Sequence, residues 1–261
     1  MKFGAMTLPS APFDVLAERW RTLDGLSKVE TVWVADHLTN MTAPGTYWTE
    51  AWTLLGALAR ETTRVRLGPL VSSATLRNPA TLARAAATLD ELSGGRAELG
   101  VGSGGSPLDV ELARVERPDF AEWVARLDEV MHDESLVPVR KVPLTIGGTG
   151  ETQLRLAARY ADRWNTYIPG DLAPAEARRA SRELSARLDE LCAETGRTVI
   201  RSAVITPRFV KETPFRSEEA FREFVAGWTE ASFDEVILYY PAEFGMPDGA
   251  VEPGLFERLL A

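Results

Sequence analysis

Pro143–Asn165 reads PLTIGGTGETQLRLAARYADRWN: a short apolar strand, a glycine turn, an amphipathic helix and the start of a second strand. A strand that returns through a helix to another strand pairs with it in parallel, by a right-handed crossover, so this unit points to an α/β fold. The turn carries a second reading. Gly147, Gly148 and Gly150 let backbone N–H groups approach a ligand, and the helix opening near Thr149 adds the positive end of its dipole, which is how phosphate is held. An ordinary βα turn that binds nothing has the same composition, so the rest of the chain must decide.

Working outward, the same alternation recurs. Strands are expected at Lys2–Leu8, Val29–Ala35, Val65–Val71 and Ala97–Val101, with helices across Phe13–Leu26, Thr49–Glu61, Pro79–Leu92 and Phe120–Met131. The second half gives strands at Pro143–Ile146, Arg163–Tyr167, Ile200–Thr206 and Val236–Tyr240, each followed by a helical stretch. Pro79 suits a first helical turn and Gly94-Gly95 a left-handed stop, which makes that helix the firmest. Eight strands and eight helices close most simply into a (β/α)8 barrel, with an open doubly wound sheet as the alternative. At 261 residues, with no linker-like run, the expectation is a single domain over 1–261.

Composition narrows the function classes. Hydrophobic residues at 45% support a real core, and a net charge of −9 argues against nucleic acid as a partner. The lone Cys192 excludes an intrachain disulfide and, without an activating neighbour, reads as a small apolar side chain. The opening MKFGAMTLPSAP has no apolar leader-like core and no run of eighteen apolar residues occurs, so a cytoplasmic protein without a membrane span is expected. Only His37 and His132 are present, too few imidazoles for a zinc hydrolase of this architecture, so no metal site is expected. His132, at the end of a helix, reads as structural, and the tryptophans mainly as core.

Barrel active sites lie at the C-terminal ends of the strands. There the chain places Asp36-His37, a carboxylate beside an imidazole that can move a proton near neutral pH, Asp36 either orienting His37 or capping the turn. Leu70-Val71-Ser72 opens the stretch to Pro79 at the end of the third strand, rich in small residues and hydroxyls suited to a heterocycle's edge. Gly100–Ser106 follows the fourth and is almost free of side chains, as where a flat ligand comes close to the backbone. Ser106 stands where a dinucleotide fingerprint needs its third glycine, which argues against a Rossmann site.

Taken together, WVADHL at Trp33–Leu38, EAWTLLGALARETTRVRLGPLV at Glu50–Val71, LRNPATLARAAATLDELSGGRAELGVGSG at Leu76–Gly104, LTIGGTGETQLRLAARYADRWN at Leu144–Asn165 and FDEVILYYP at Phe233–Pro241 resemble the luciferase-like flavin-dependent oxidoreductases. The resemblance implies a TIM barrel that binds FMN or the deazaflavin coenzyme F420. It implies that His37 with Asp36 faces the reactive centre, that a cis peptide joins Leu70 to Val71, and that Ser72, Gly102, Ser103 and Gly104 approach the cofactor. It implies further that Gly147, Gly148, Thr149, Gly150 and Glu151 hold its phosphate end.

Two departures stand out. Deazaflavin dehydrogenases of this kind that act on sugar phosphates carry a glutamate where this chain has Gly105, which argues against that activity. The segment between Ser106 and Pro143 is short, as in a more open site or one completed by a second subunit of a homodimer. The expected function is hydride transfer to, or monooxygenation of, a small organic substrate. The alternatives are a flavin-binding barrel without catalysis and a phosphate-binding isomerase or aldolase.

Overall fold

The computed structural model describes residues 1–135, 141–167, 172–206, 214–241, 252 and 254–261. Its strands are β1 (Lys2–Thr7), β2 (Val29–Val34), β3 (Arg66–Pro69), β4 (Ser72–Ser73), β5 (Leu99–Gly102), β6 (Leu144–Gly147), β7 (Arg163–Thr166), β8 (Ile200–Ile205) and β9 (Glu235–Tyr239). They pair in parallel in one nine-stranded sheet ordered β3-β2-β1-β9-β8-β7-β6-β5-β4. β3 and β4 are two pieces of one barrel strand. The first pairs with β2 and the second with β5, the Leu70–Val71 peptide between them is cis, and a parallel bridge from Leu67 to Ala97 joins the ends of the sheet. The expected (β/α)8 barrel is therefore present with its third strand divided, and the cis bond lies where the resemblance implies it.

Around the strands run α1 (Phe13–Gly25), α2 (Ala51–Glu61), α3 (Pro79–Ser93), α4 (Pro107–Ala113), α5 (Phe120–Met131), α6 (Glu151–Tyr160), α7 (Pro174–Thr195), α8 (Glu218–Glu230) and α9 (Leu255–Leu260). α3 shows why its ends were legible. Asn78 caps the Ala80 and Thr81 amides, Pro79 occupies the first turn, and Gly94 takes φ 70° to end the helix. α4 follows Ser106 directly and was not among the helices expected from the sequence.

Strand residues alternate between two environments, as a period of two requires. Val236 and Leu238 pack outward in the main core beneath the helices, whereas Ile237 and Tyr239 face the barrel interior with Met6, Leu8, Trp33 and Leu70. Nearer the N-terminal ends the interior turns polar. Arg163 sits 3.0 Å from both Glu98 and Glu235, Thr31 donates to Glu235 at 2.8 Å, and the Arg163 guanidinium lies 5.7 Å from the Trp33 ring centre.

Closure depends on Gly68. A β-carbon there would lie 2.0 Å from the Glu98 carbonyl oxygen, so only glycine lets β3 approach Ala97 and Glu98, just ahead of β5. Gly68→Ala is expected to cost about 3 kcal/mol, the upper end for overpacking against backbone. In a thermal melt that corresponds to a loss of roughly 6–10 °C; an unchanged melt would show that the closure does not need a glycine.

Candidate active site

His37 follows β2 at the barrel mouth, and its surroundings differ from the simplest expectation. Nδ1 lies 2.6 Å from Oδ2 of Asp109, on α4, and the other Asp109 oxygen accepts the Leu38 N–H at 3.0 Å. α4 begins at Pro107 with Ser106 as its cap, whose hydroxyl accepts the Asp109 N–H, so the helix start itself aims the carboxylate. The Trp48 indole N–H donates to the His37 carbonyl at 2.8 Å. Burial pushes the Asp109 carboxyl up, but hydrogen bonds from His37, Leu38 and Ser106 outweigh it and hold the group below its usual range. With Nδ1 committed to Asp109, Nε2 is the nitrogen left to exchange a proton.

Asp36, expected either to orient His37 or to cap the turn, pairs instead with residues of the next loop. Its carboxylate takes Arg77 at 2.6 and 3.1 Å and the Ser72 hydroxyl at 2.7 Å, and Arg77 reaches on to Glu50 at 2.6 Å. Burial alone would lower the Arg77 pKa; the paired Asp36 and Glu50 outweigh it and keep the guanidinium charged. Ser72 is fully buried between Asp36 and the Trp52 indole N–H, so it braces the wall from behind. The neighbouring Ser73 faces the cleft instead.

That cleft encloses about 310 Å³ and brings together His37, Asp36, Leu70, Val71, Gly102, Ser103, Gly104, Gly147 and Gly148, with Ser73, Asp109 and Asn165 added. Its glycines serve a purpose the sequence did not disclose. β-Carbons on Gly102 and Gly147 would meet the Val71 side chain at 2.6 and 3.0 Å, so the glycine strip makes room for Val71, which forms the back wall. Ser73 is 5% exposed and its hydroxyl finds no partner among the described residues, a polar atom buried at the edge of an open cleft.

Thr149, Gly150 and Glu151 stand outside this lining. Gly148 N–H donates to the Asn165 carbonyl at 3.0 Å, and Glu151 pairs with Arg155 at 2.6 Å and Arg187 at 2.7 Å. α6 starts after Gly150 without a side-chain cap, which leaves its first-turn amides to water or a ligand.

His132 bonds to the Asp128 carbonyl at the end of α5, and burial raises the Cys192 thiol pKa, in line with the bland roles expected of both. Among the described residues no group of three His, Cys, Asp or Glu side chains is placed to hold a metal ion, and no helix is long and apolar enough to cross a membrane.

A parallel barrel with an imidazole–carboxylate pair and a glycine-backed cleft at its strand C-termini has the architecture of the luciferase-like barrels. The luciferase-like monooxygenase family model matches residues 2–132, half of the chain, and the chain belongs to that family. It is 41% identical over 104 residues to an F420-dependent glucose-6-phosphate dehydrogenase of Amycolatopsis mediterranei, a match covering 39% of this chain and 31% of that one. The chain spans about half the length, or less, of the curated relatives it matches.

Solved structures agree on the fold. The coenzyme F420-dependent tetrahydromethanopterin reductase of Methanopyrus kandleri superposes with a TM-score of 0.72 at 14% identity, over 98% of this chain and 97% of that one. The FMN complex of the oxygenating constituent of 3,6-diketocamphane monooxygenase from Pseudomonas putida gives 0.61 at 15% identity, over 79% and 67%.

Proposed function

We propose that this chain is an oxidoreductase of the cytoplasm that binds a deazaflavin of the F420 type or FMN in the cleft before Val71 and acts on a small organic substrate beside His37. The observation that carries this reading is the His37–Asp109 pair opening on a cleft whose buried Ser73 hydroxyl has no partner among the described residues. The residues fit a flat, edge-polar ring. Leu70, Val71 and Val204 offer apolar surface, and Ser73 and Asn165 offer hydrogen bonds at its margin.

Either cofactor, when bound, supplies a two-electron redox centre. This chain's own side chains supply position and proton movement. His37 exchanges a proton at Nε2 while Asp109 holds Nδ1 and the ring's orientation, and Val71 supports one face of the cofactor ring. The turn from Gly147 to Glu151 takes its phosphate end. A catalytically silent barrel was suggested by Gly105; against it stands Asp109, four residues on, which brings a carboxylate to the histidine by another route.

Titration of the purified protein with F420 and with FMN, followed by fluorescence or native mass spectrometry, tests the reading. One of them is expected to bind, and Ser73→Ala to weaken it about fivefold, equivalent to the roughly 1 kcal/mol of one net hydrogen bond. Binding of neither by the folded protein removes the proposal, and binding unchanged by Ser73→Ala removes Ser73 from the site.

A further inference from the structure

A second cavity of about 330 Å³ adjoins the first and shares His37, Tyr167 and Tyr239 with it. Its walls are mainly apolar: Leu8, Ala35, Met41, Trp48 and the rings of Tyr167 and Tyr239. Polar atoms do line it, but most are already committed. Asn40 Oδ1 accepts both the N–H and the hydroxyl of Thr42, Asn40 Nδ2 donates to Thr46, and the Trp48 N–H is bonded to the His37 carbonyl.

Apart from His37 Nε2, Thr206 stands out. Its residue is 3% exposed and its hydroxyl has no hydrogen-bond partner among the described residues. A buried hydroxyl left without a partner carries a desolvation cost that a ligand's polar group would relieve. Charge points the same way. Besides His37, the charged side chains among the described lining of the two cavities are Asp36 and Asp109, and no lysine or arginine is among them. The described lining of the second cavity itself carries no lysine, arginine or carboxylate, so besides His37 nothing among those residues would offset the cost of burying a charged group there.

We propose that this second cavity receives an uncharged, largely apolar organic molecule bearing a single carbonyl or hydroxyl group, which the Thr206 hydroxyl binds. The substrate class of the oxidoreductase proposed above follows, and to that extent this inference rests on that reading. Thr206 is then a specificity-determining residue, whereas His37 serves the reaction itself.

Binding of three probes to the full chain, by calorimetry and ligand-observed NMR, decides the matter: the neutral bicyclic ketone 2-decalone, the carboxylate on the same decalin ring, and glucose 6-phosphate. The ketone is expected to bind saturably, and the two anions at least tenfold more weakly. Thr206→Val, which keeps the shape and removes the hydroxyl, is expected to weaken the ketone about fivefold, and Thr206→Ser to restore it to within twofold.

An anion that binds as tightly as the ketone, ketone binding indifferent to Thr206→Val, or no ketone binding at all each overturns the proposal. Cofactor titration of the same samples separates the two ideas. Ketone binding without affinity for F420 or FMN removes the redox reading and leaves the neutral pocket; cofactor binding without ketone binding does the reverse.

Discussion

His37→Ala is expected to lower turnover by about a hundredfold, the lower end of what a positioned acid–base group contributes, while cofactor affinity stays within a few-fold. The split follows from the geometry. The imidazole borders the cleft, whereas the cofactor's expected supports are Val71, Ser73 and the turn at Gly147. Asp109→Asn is expected to cost less, about tenfold in turnover, because an amide keeps a hydrogen bond to Nδ1 but loses the charge that favours one ring orientation and tautomer.

Acid gives an independent reading of the same pair. Folded Asp109 titrates below its usual 3.8, so its contribution to stability is complete above that pH and is lost as the pH falls through the lowered value. Urea unfolding between pH 7 and pH 3 should therefore show an acid-side loss that is smaller in Asp109→Asn. Unchanged turnover in His37→Ala would remove His37 from the mechanism, and identical acid profiles would deny the linkage.

Arg163→Met is expected to destabilise the protein by about 3–5 kcal/mol, the range for breaking a buried charge pair on one side. Arg163 is the cation between two carboxylates that are almost wholly buried, Glu98 and Glu235, and Arg66 at 2.6 Å from Glu98 extends the row toward solvent. Without Arg163, Glu98 and Glu235 face each other inside the barrel. Burial already pushes the Glu235 carboxyl up against the pull of Arg163, and removing the cation takes that pull away.

A carboxyl raised in this way stabilises the fold below its unfolded pKa and loses that contribution as the pH rises through the folded value. The penalty in Arg163→Met is thus expected to shrink on acidification from pH 7 to pH 5, measured by urea unfolding. The triple replacement Arg163→Met, Glu98→Gln, Glu235→Gln should regain most of the lost stability, because no unpaired charge of that trio remains. A single variant as stable as wild type would mean that water reaches this layer.

The barrel was legible because its strands are bounded by proline, glycine and helical periodicity, as at Pro79 and Gly94, and because those signals are local. The cis bond at Leu70-Val71 was implied by the family resemblance, but the division of the third strand, expected unbroken over Val65–Val71, was not legible, since nothing in the composition of GPLVSS marks a break. α4 and Asp109 escaped, although Ser106-Pro107 is a cap followed by a first-turn proline and carried the needed signal. The pairing of Asp36 with Arg77 joins residues 41 positions apart, and the packing of Val71 on Gly102 and Gly147 is likewise a matter of three-dimensional closure. The charged interior was visible as Glu98 and Arg163 within expected strands, but not as a pair, because only the sheet order, with β5 and β7 on either side of β6, brings them together.

The indole N–H groups give the molecule a property of a different kind. Trp48 is bonded to the His37 carbonyl, Trp52 to the Ser72 hydroxyl, Trp123 to the Arg77 carbonyl and Trp164 to the Gly148 carbonyl. Four of the seven tryptophans are thus native optical reporters wired to three different loops of the mouth. Variants that retain one of them at a time would show by emission colour and intensity which loop senses an arriving molecule, with no label added. A ligand before Val71 and one beside Thr206 would then be told apart by which indole changes.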